Sequence, residues 1–413
     1  MSANHDANEA SSTVARPWRR WLVRLVCLIL ATVLLVPAWS GDTAMLAVPA
    51  LSPFVALAAV LANRAVSLVS VMAVPVLLIV LVRRRWFCRY VCPTGFLADQ
   101  AGRIRGGAAR RLRLPPLGQW LALLTWGGAA VGYPLFLWLD PLALFASFVH
   151  VWGRDAGLAL WLSAAGLPLV LLVSVLAPGV WCARLCPLGG TQDLLAWPLQ
   201  RLRRRGPDET PAPAAWPLTR RTVVAGGLGM LGGLAMFRSL RGASSPPLRP
   251  PGAIDGERFT GLCIRCGNCA RVCPARILHP DLGDYGAASF LTPVLRYQDE
   301  YCLETCQRCT QVCPSGALRP LSAEDKPQAG IGVARVDMDV CLLADDHECA
   351  ICTNACPYAA IHLVFSEETY LNTPTVDVEC CNGCGACQVR CPTTPKAIVV
   401  YPQEHAEAGE RAV

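Results

Sequence analysis

The sequence predicts a two-part chain: a membrane α-helical domain of four spans in two repeats plus an anchor helix, then an α+β domain built around cysteine repeats. Three observations carry this. Apolar runs long enough to cross a bilayer, roughly 20 residues, are confined to the first 240 positions. Arginine is concentrated in alternate loops between those runs. Four groups of four cysteines, each closed by proline, occupy residues 263–392.

The helical part comes first. Residues 1–17 are polar and read as a disordered N-terminus. Apolar runs follow at 21–39, 65–82, 116–139 and 157–180, with a weaker Gly- and Ala-rich run at 222–237. The stretch 44–63 is apolar too, but Pro49 and Pro53 break it, so it reads as re-entrant or interfacial. The N-terminus carries Arg16, Arg19, Arg20 and Arg24, the 83–114 loop nine arginines, and the 182–221 segment seven. The two other loops hold one each, Arg64 and Arg154. Positive residues stay on the cytoplasmic side, so the Arg-rich loops are expected there.

This part repeats internally. Trp86-Phe87-Cys88-Arg89-Tyr90-Val91-Cys92-Pro93-Thr94-Gly95 recurs as Val180-Trp181-Cys182-Ala183-Arg184-Leu185-Cys186-Pro187-Leu188-Gly189. Upstream, Leu51-Ser52-Pro53-Phe54 and Asp140-Pro141-Leu142-Ala143 match as well. Three readings of Cys88, Cys92, Cys182 and Cys186 stand. They meet around one cluster or metal, each pair is a redox dithiol, or the cysteines only shape a helix end.

The predicted domains are 18–200 (polytopic membrane domain), 201–218 (cytoplasmic linker), 219–240 (anchor helix), 241–252 (Pro-rich linker), 253–403 (cysteine-rich domain) and 404–413 (tail). The anchor opens on Arg220-Arg221, a twin-arginine pattern of the kind that exports folded, cofactor-loaded domains. An odd number of spans leaves the cysteine-rich domain on the periplasmic side of a bacterial inner membrane. Charge divides the same way: about +14 through Arg238 and −7 beyond it. The basic charge therefore belongs beside apolar helices, which argues against a nucleic-acid partner. The acidic outer domain calls for a redox partner with a complementary basic patch.

The chemistry lies in the cysteines. The groups are Cys263, Cys266, Cys269, Cys273; Cys302, Cys306, Cys309, Cys313; Cys341, Cys349, Cys352, Cys356; and Cys381, Cys384, Cys387, Cys391. Such a run places three thiolates on one [4Fe–4S] cluster and the fourth on its neighbour. Zinc sites use two separated pairs, and secreted disulfide scaffolds are short, so four [4Fe–4S] clusters in an α+β tandem ferredoxin-like domain are expected. Sequential pairing (first group with second, third with fourth) and nested pairing use the same sixteen ligands, and both stay open. Cys380 reads as a spare buried thiol, and Cys27 as apolar packing. Of the six histidines only His150 lies near the membrane part, and there is no C-x-x-C-H, so no haem is expected. The glycines of 226–233 follow no strand and read as helix-packing residues rather than a nucleotide site. Asp140 and His150 fall in an outer loop, as candidate proton acceptors for a quinol.

From Arg249-Pro250-Pro251-Gly252 through Cys263-Ile264-Arg265-Cys266-Gly267-Asn268-Cys269 to Cys391-Pro392, the chain resembles the NapG/MauM ferredoxin-type proteins. The membrane part, with its paired C-x3-C-P groups, is similar to NapH/MauN and NosR-type membrane proteins. The resemblance implies a fused NapH–NapG chain passing electrons from the quinol pool to a periplasmic reductase or other redox partner. It thus implies an electron-transfer component (a quinol dehydrogenase at most) rather than a stand-alone enzyme. A second reading is a maturation or reactivation factor for a periplasmic metalloenzyme. One departure stands out: residues 190–218 lack the further cysteine motifs of NapH-type proteins.

Overall fold

The computed structural model describes residues 17–36, 41–104, 115–152, 157–203, 220–240 and 246–403, apart from 255, 346, 368 and 369. The first linker, 201–218, falls largely outside them.

The repeat is visible in three dimensions. In the first copy Ser52 caps α2 (Pro53–Asn63), two short helices in series, Leu68–Val71 and α3 (Val74–Val82), lead to the short helix Trp86–Tyr90, and Cys92 caps α4 (Pro93–Arg103). In the second, Asp140 caps α6 (Pro141–Val151), the pair Leu158–Ala164 and α7 (Gly166–Leu176) leads to Trp181–Leu185, and α8 (Pro187–Arg203) begins after Cys186. Helices α1 (Pro17–Leu35) and α5 (Leu117–Ala130) precede the two copies. Each capped helix starts with proline, whose missing N–H costs nothing in the first turn. The copies join at their caps, where the Ser52 hydroxyl donates to Asp140 Oδ1 at 2.6 Å.

The helices are shorter than the apolar runs. Among the described residues no single helix is long and apolar enough to cross a membrane. Two bent pairs reach that length and apolarity only when taken together: residues 42–63, bent by 94°, and residues 158–176, bent by 41°. The first bend falls at Leu51–Ser52, between the prolines that break this run in the sequence. The run 116–139 stays helical only to Ala130, because Gly132 turns with φ +93° ahead of Pro134.

Helix α9 (Arg220–Leu240) lies against α5 through glycines. A Cβ on Gly229 would lie 2.3 Å from the Leu124 carbonyl oxygen, and one on Gly127 would lie 2.2 Å from that of Gly226. Gly127, Gly229 and Gly233 thus serve the close backbone approach expected of this run, whereas Gly227 faces open space.

The cysteine-rich part holds three two-stranded antiparallel ribbons: β1 (Leu278–Pro280) with β2 (Pro293–Leu295), β3 (Val333–Val336) with β6 (Ile398–Tyr401), and β4 (Ile361–Phe365) with β5 (Asn372–Val376). A helix of four or five residues lies within each cysteine group, between its second and last cysteines. So little regular structure leaves the cysteine sites to organise the fold. This part packs on the helical part through Asn268, whose amide donates to the Met45 carbonyl at 3.3 Å, and through Arg308–Asp42 at 3.3 Å.

Candidate iron–sulfur sites

Each ferredoxin loop wraps its cysteines around a small cavity. Site I is lined by Cys263, Cys266, Cys269 and Cys313, and site II by Cys302, Cys306, Cys309 and Cys273. Cys341, Cys349, Cys352 and Cys391 line site III, and Cys381, Cys384, Cys387 and Cys356 line site IV. Every site takes three cysteines from one group and the last from its partner group. The structure thus brings all sixteen predicted cysteines together in the sequential arrangement, I with II and III with IV. The remaining walls are largely apolar: Ile264, Val312 and Leu318 at site I, beside Ser163, Arg265 and Asn268, and Ile277, Leu278 and Leu295 at site II. Among the described residues no three His, Cys, Asp or Glu side chains converge on a position for a single metal ion. Four sulfurs surrounding a cavity suit the donor set of a cubane.

The backbone makes these loops possible at two glycines. Gly267 (φ +78°) and Gly385 (φ +86°) start the short helices of groups one and four in the left-handed region. A Cβ on Gly385 would lie 2.5 Å from the Tyr297 ring.

The two pairs meet at one junction. The Cys302 N–H donates to the Cys384 carbonyl at 2.9 Å, and buried Tyr297 donates from its hydroxyl to the Gly383 carbonyl at 2.7 Å. Sites II and IV therefore adjoin, and the spatial order is I–II–IV–III. Lys326 abuts site II. Its ammonium donates to Cys302 Sγ at 3.5 Å and to the carbonyls of Leu303 and Cys306. Burial pushes the Cys302 thiol up, with the Lys326 charge working against it.

Site I faces the helical part. Leu160 and Ser163 line it, and His150 Nε2 lies 2.8 Å from Asn268 Oδ1, between Cys266 and Cys269. Asp140 and His150, expected in an outer loop as candidate proton acceptors, belong to a helix in that connection. Both are buried, Asp140 as the cap of α6 and His150 in its last turn. The cap bond to Ser52 and the contact with Asn268 remove them from solvent. Cys380 corrects a second expectation: it is exposed, because its N–H turns toward Asp377 Oδ1 at 3.4 Å, away from site IV.

The helical part gathers its own cysteines. Cys92 and Cys186 cap α4 and α8, their sulfurs accepting from Gly95 N–H at 3.4 Å and Gly189 N–H at 3.5 Å. Gln192 Nε2 donates to Cys88 Sγ at 2.9 Å. Burial, then the neighbouring thiols, pushes Cys88, Cys92 and Cys186 well above the ordinary thiol range. Cys182 is pushed up to about 11 by burial, against the pull of Arg24 and Arg85. The thiols of the two pairs thus lie near enough to raise one another. Cys88 and Cys182 open onto a cavity of about 950 Å³ walled by arginines, including Arg20, Arg89 and Arg184. Its carboxylates are Asp99, 2.8 Å from Arg24, and Asp193, paired with Arg84 at 2.6 Å and Arg85 at 2.5 Å. Each aspartate stands seven residues after its capping cysteine, so the repeat runs further than the C-x3-C-P motif alone.

Exchange-paired four-cysteine sites with apolar walls define a ferredoxin-type iron–sulfur protein. Residues 262–317 match the model of a 4Fe-4S dicluster domain. Residues 64–111 and 159–206, one match per repeat, fit that of a 4Fe-4S binding domain. The methylamine utilization ferredoxin-type protein MauM of Methylobacillus flagellatus is 40% identical over 195 residues, 45% of this chain and 81% of the relative. The ferredoxin-type protein NapG of Escherichia coli is 36% identical over 189 residues, 43% of this chain and 80% of the relative. Ferredoxin-type protein NapF of the same organism is 31% identical over 153 residues, 37% and 84%. No solved structure matches. The chain belongs to the MauM/NapG family of ferredoxin-type proteins.

Proposed function

We propose that this protein is a membrane-anchored electron carrier with four [4Fe–4S] clusters, one at each of sites I–IV, working between the quinol pool and a periplasmic redox partner. The single observation that carries the reading is the exchange of the fourth cysteine within each pair of sites. That exchange is the ligand pattern of paired clusters in ferredoxins, and neither zinc nor disulfides would need it. Bound clusters supply one-electron transfer.

The chain's own residues do the rest. Sixteen thiolates hold the iron, and Ile361, Val400, Leu343 and Ile398 keep water from sites III and IV as the walls named above do at I and II. Burial and hydrogen bonds to sulfur tune such potentials. The helical part, in this reading, is a NapH/MauN-type unit fused ahead of the carrier. Its bent helix pairs and α9 anchor the chain, and its arginine-walled cavity faces the cytoplasm, in keeping with the positive-inside rule. Cys88, Cys92, Cys182 and Cys186, expected as a redox or metal site, serve in this reading as an additional redox or cluster site on that face, since no three of them are placed for a single metal ion. The acidic cysteine-rich part then meets its partner outside the membrane.

Anaerobic EPR before and after adding menaquinol tests this. Cluster signals that rise with quinol support the carrier reading. Clusters that dithionite reduces and quinol leaves oxidised would remove the quinol step from it.

A further inference from the structure

The chain has 37 basic residues, and only two of them, Lys326 and Lys396, are lysines. Both reach cysteine-bearing loops. Lys396 is partly buried and donates to the Cys391 and Val389 carbonyls. Lys326 goes further: it is 0% exposed and one of its three contacts is a ligand sulfur, Cys302 Sγ. An ammonium has three donors and no acceptor, and here Cys302 Sγ, Leu303 O and Cys306 O match them one for one.

Its placement is enforced from the other side. Asn382, 1% exposed and lying between Cys381 and Gly383 of site IV, donates to the carbonyls of Lys326 at 2.9 Å, Pro327 at 2.8 Å and Ala329 at 3.3 Å. A site IV loop therefore fixes the turn that delivers the ammonium to site II. Among the described residues no carboxylate forms an ion pair with Lys326. An ammonium taken out of water without an opposite charge is strongly disfavoured. The negative charge that answers it is that of the thiolate-ligated cluster. Adding an electron makes that cluster more negative, so a fixed neighbouring cation favours the reduced form. At site IV, across the Cys302–Cys384 junction, the sulfur of Cys356 accepts instead from a neutral donor, the Ala360 N–H at 3.3 Å.

We propose that Lys326 is a positioning residue for electron transfer, which raises the midpoint potential of the site II cluster above that of its site IV neighbour. The buried ammonium thereby sets a potential step at the junction of the two pairs. Arginine would not serve there. Its guanidinium is a broad planar fork, whereas lysine offers a compact charge with donors on three sides.

This rests on the four-cluster reading, and the two fail differently. Unmodified protein without iron–sulfur clusters sinks the reading, whereas unchanged potentials in iron-replete variants sink the proposal. The test is an EPR-monitored redox titration of the full chain and of Lys326→Met, with Lys396→Met as comparator. Lys326→Met is expected to lower one midpoint, so that the reduced-to-oxidised ratio at fixed potential falls tenfold or more, 59 mV for one electron. Lys396→Met, with no sulfur contact, is expected to shift less. Four unchanged midpoints in an iron-replete Lys326→Met protein overturn the proposal. Should Lys326→Met fail to hold iron, unmodified protein grown with ε-15N-lysine gives the answer, since only two such nitrogens exist. ENDOR must then show 15N coupling in the higher-potential signal of the site II and IV pair. Coupling confined to a later-reduced signal, or absent altogether, overturns it.

Discussion

His150 Nε2 lies 2.8 Å from Asn268 Oδ1, and this contact seats the cysteine-rich part on the helical part. Asn268 spends its amide hydrogens on the carbonyls of Met45 at 3.3 Å and Val312 at 3.2 Å. One side chain between two ligand cysteines thus ties site I to α6, to the segment before α2 and to the second cysteine group. Replacing Asn268 with alanine should leave buried partners unsatisfied, at roughly 1–3 kcal/mol for each lost group. Thermal denaturation of the full chain, read with site I EPR, checks this. Unchanged melting would show the contact to be incidental.

The exchange of ligands makes a sharp prediction about pairs of variants. Cys313→Ser and Cys263→Ser should perturb the same cluster signal, because both line site I. Cys313→Ser and Cys302→Ser should perturb different ones, although these cysteines belong to one sequence group. Under nested pairing Cys313 would instead share a cluster with cysteines of the third group.

Helix packing gives a contrast within one helix. A Cβ on Gly229 would run into the Leu124 carbonyl, whereas one on Gly227 would meet nothing within 4 Å. Gly229→Val should separate α9 from α5 at a cost of about 1–3 kcal/mol, while Gly227→Ala should be nearly neutral. Protease sensitivity in detergent measures both.

Asp193 predicts a pH dependence. Burial acts to raise its carboxyl, but hydrogen bonds and charge from Arg84 and Arg85 win and hold it below the usual range. A lowered folded-state pKa contributes stability above the unfolded value, near 3.9, which is lost as pH falls through the folded one. The stability gap between unmodified protein and Asp193→Asn should therefore be full at pH 6–8 and close below about pH 4. A gap that is flat with pH would mean the pair contributes nothing electrostatic.

How much of this was legible in the sequence follows from distance along the chain. Three ligands of each site fall within a dozen residues, so spacing alone reveals them. The fourth comes from the partner group, as Cys313 does for Cys263, and only the fold decides between pairings. Lys326 and Asn382 are 56 residues apart and His150 and Asn268 are 118 apart, so no local pattern announces either contact. Asp99 and Asp193 were within reach, since extending the repeat seven residues past each capping cysteine finds both. The apolar runs overstated the helices because hydropathy does not register the turn at Gly132 or the breaks that precede α3 and α7.

The most direct test of the central claim is to quantify iron and acid-labile sulfide on anaerobically purified full-length protein, together with the EPR of its reduced form. Four sites predict about sixteen of each per chain, four per cubane, with a further four of each if Cys88, Cys92, Cys182 and Cys186 also hold a cluster. Iron well below sixteen in protein that is folded and fully reconstituted, or iron without matching sulfide, would contradict the account.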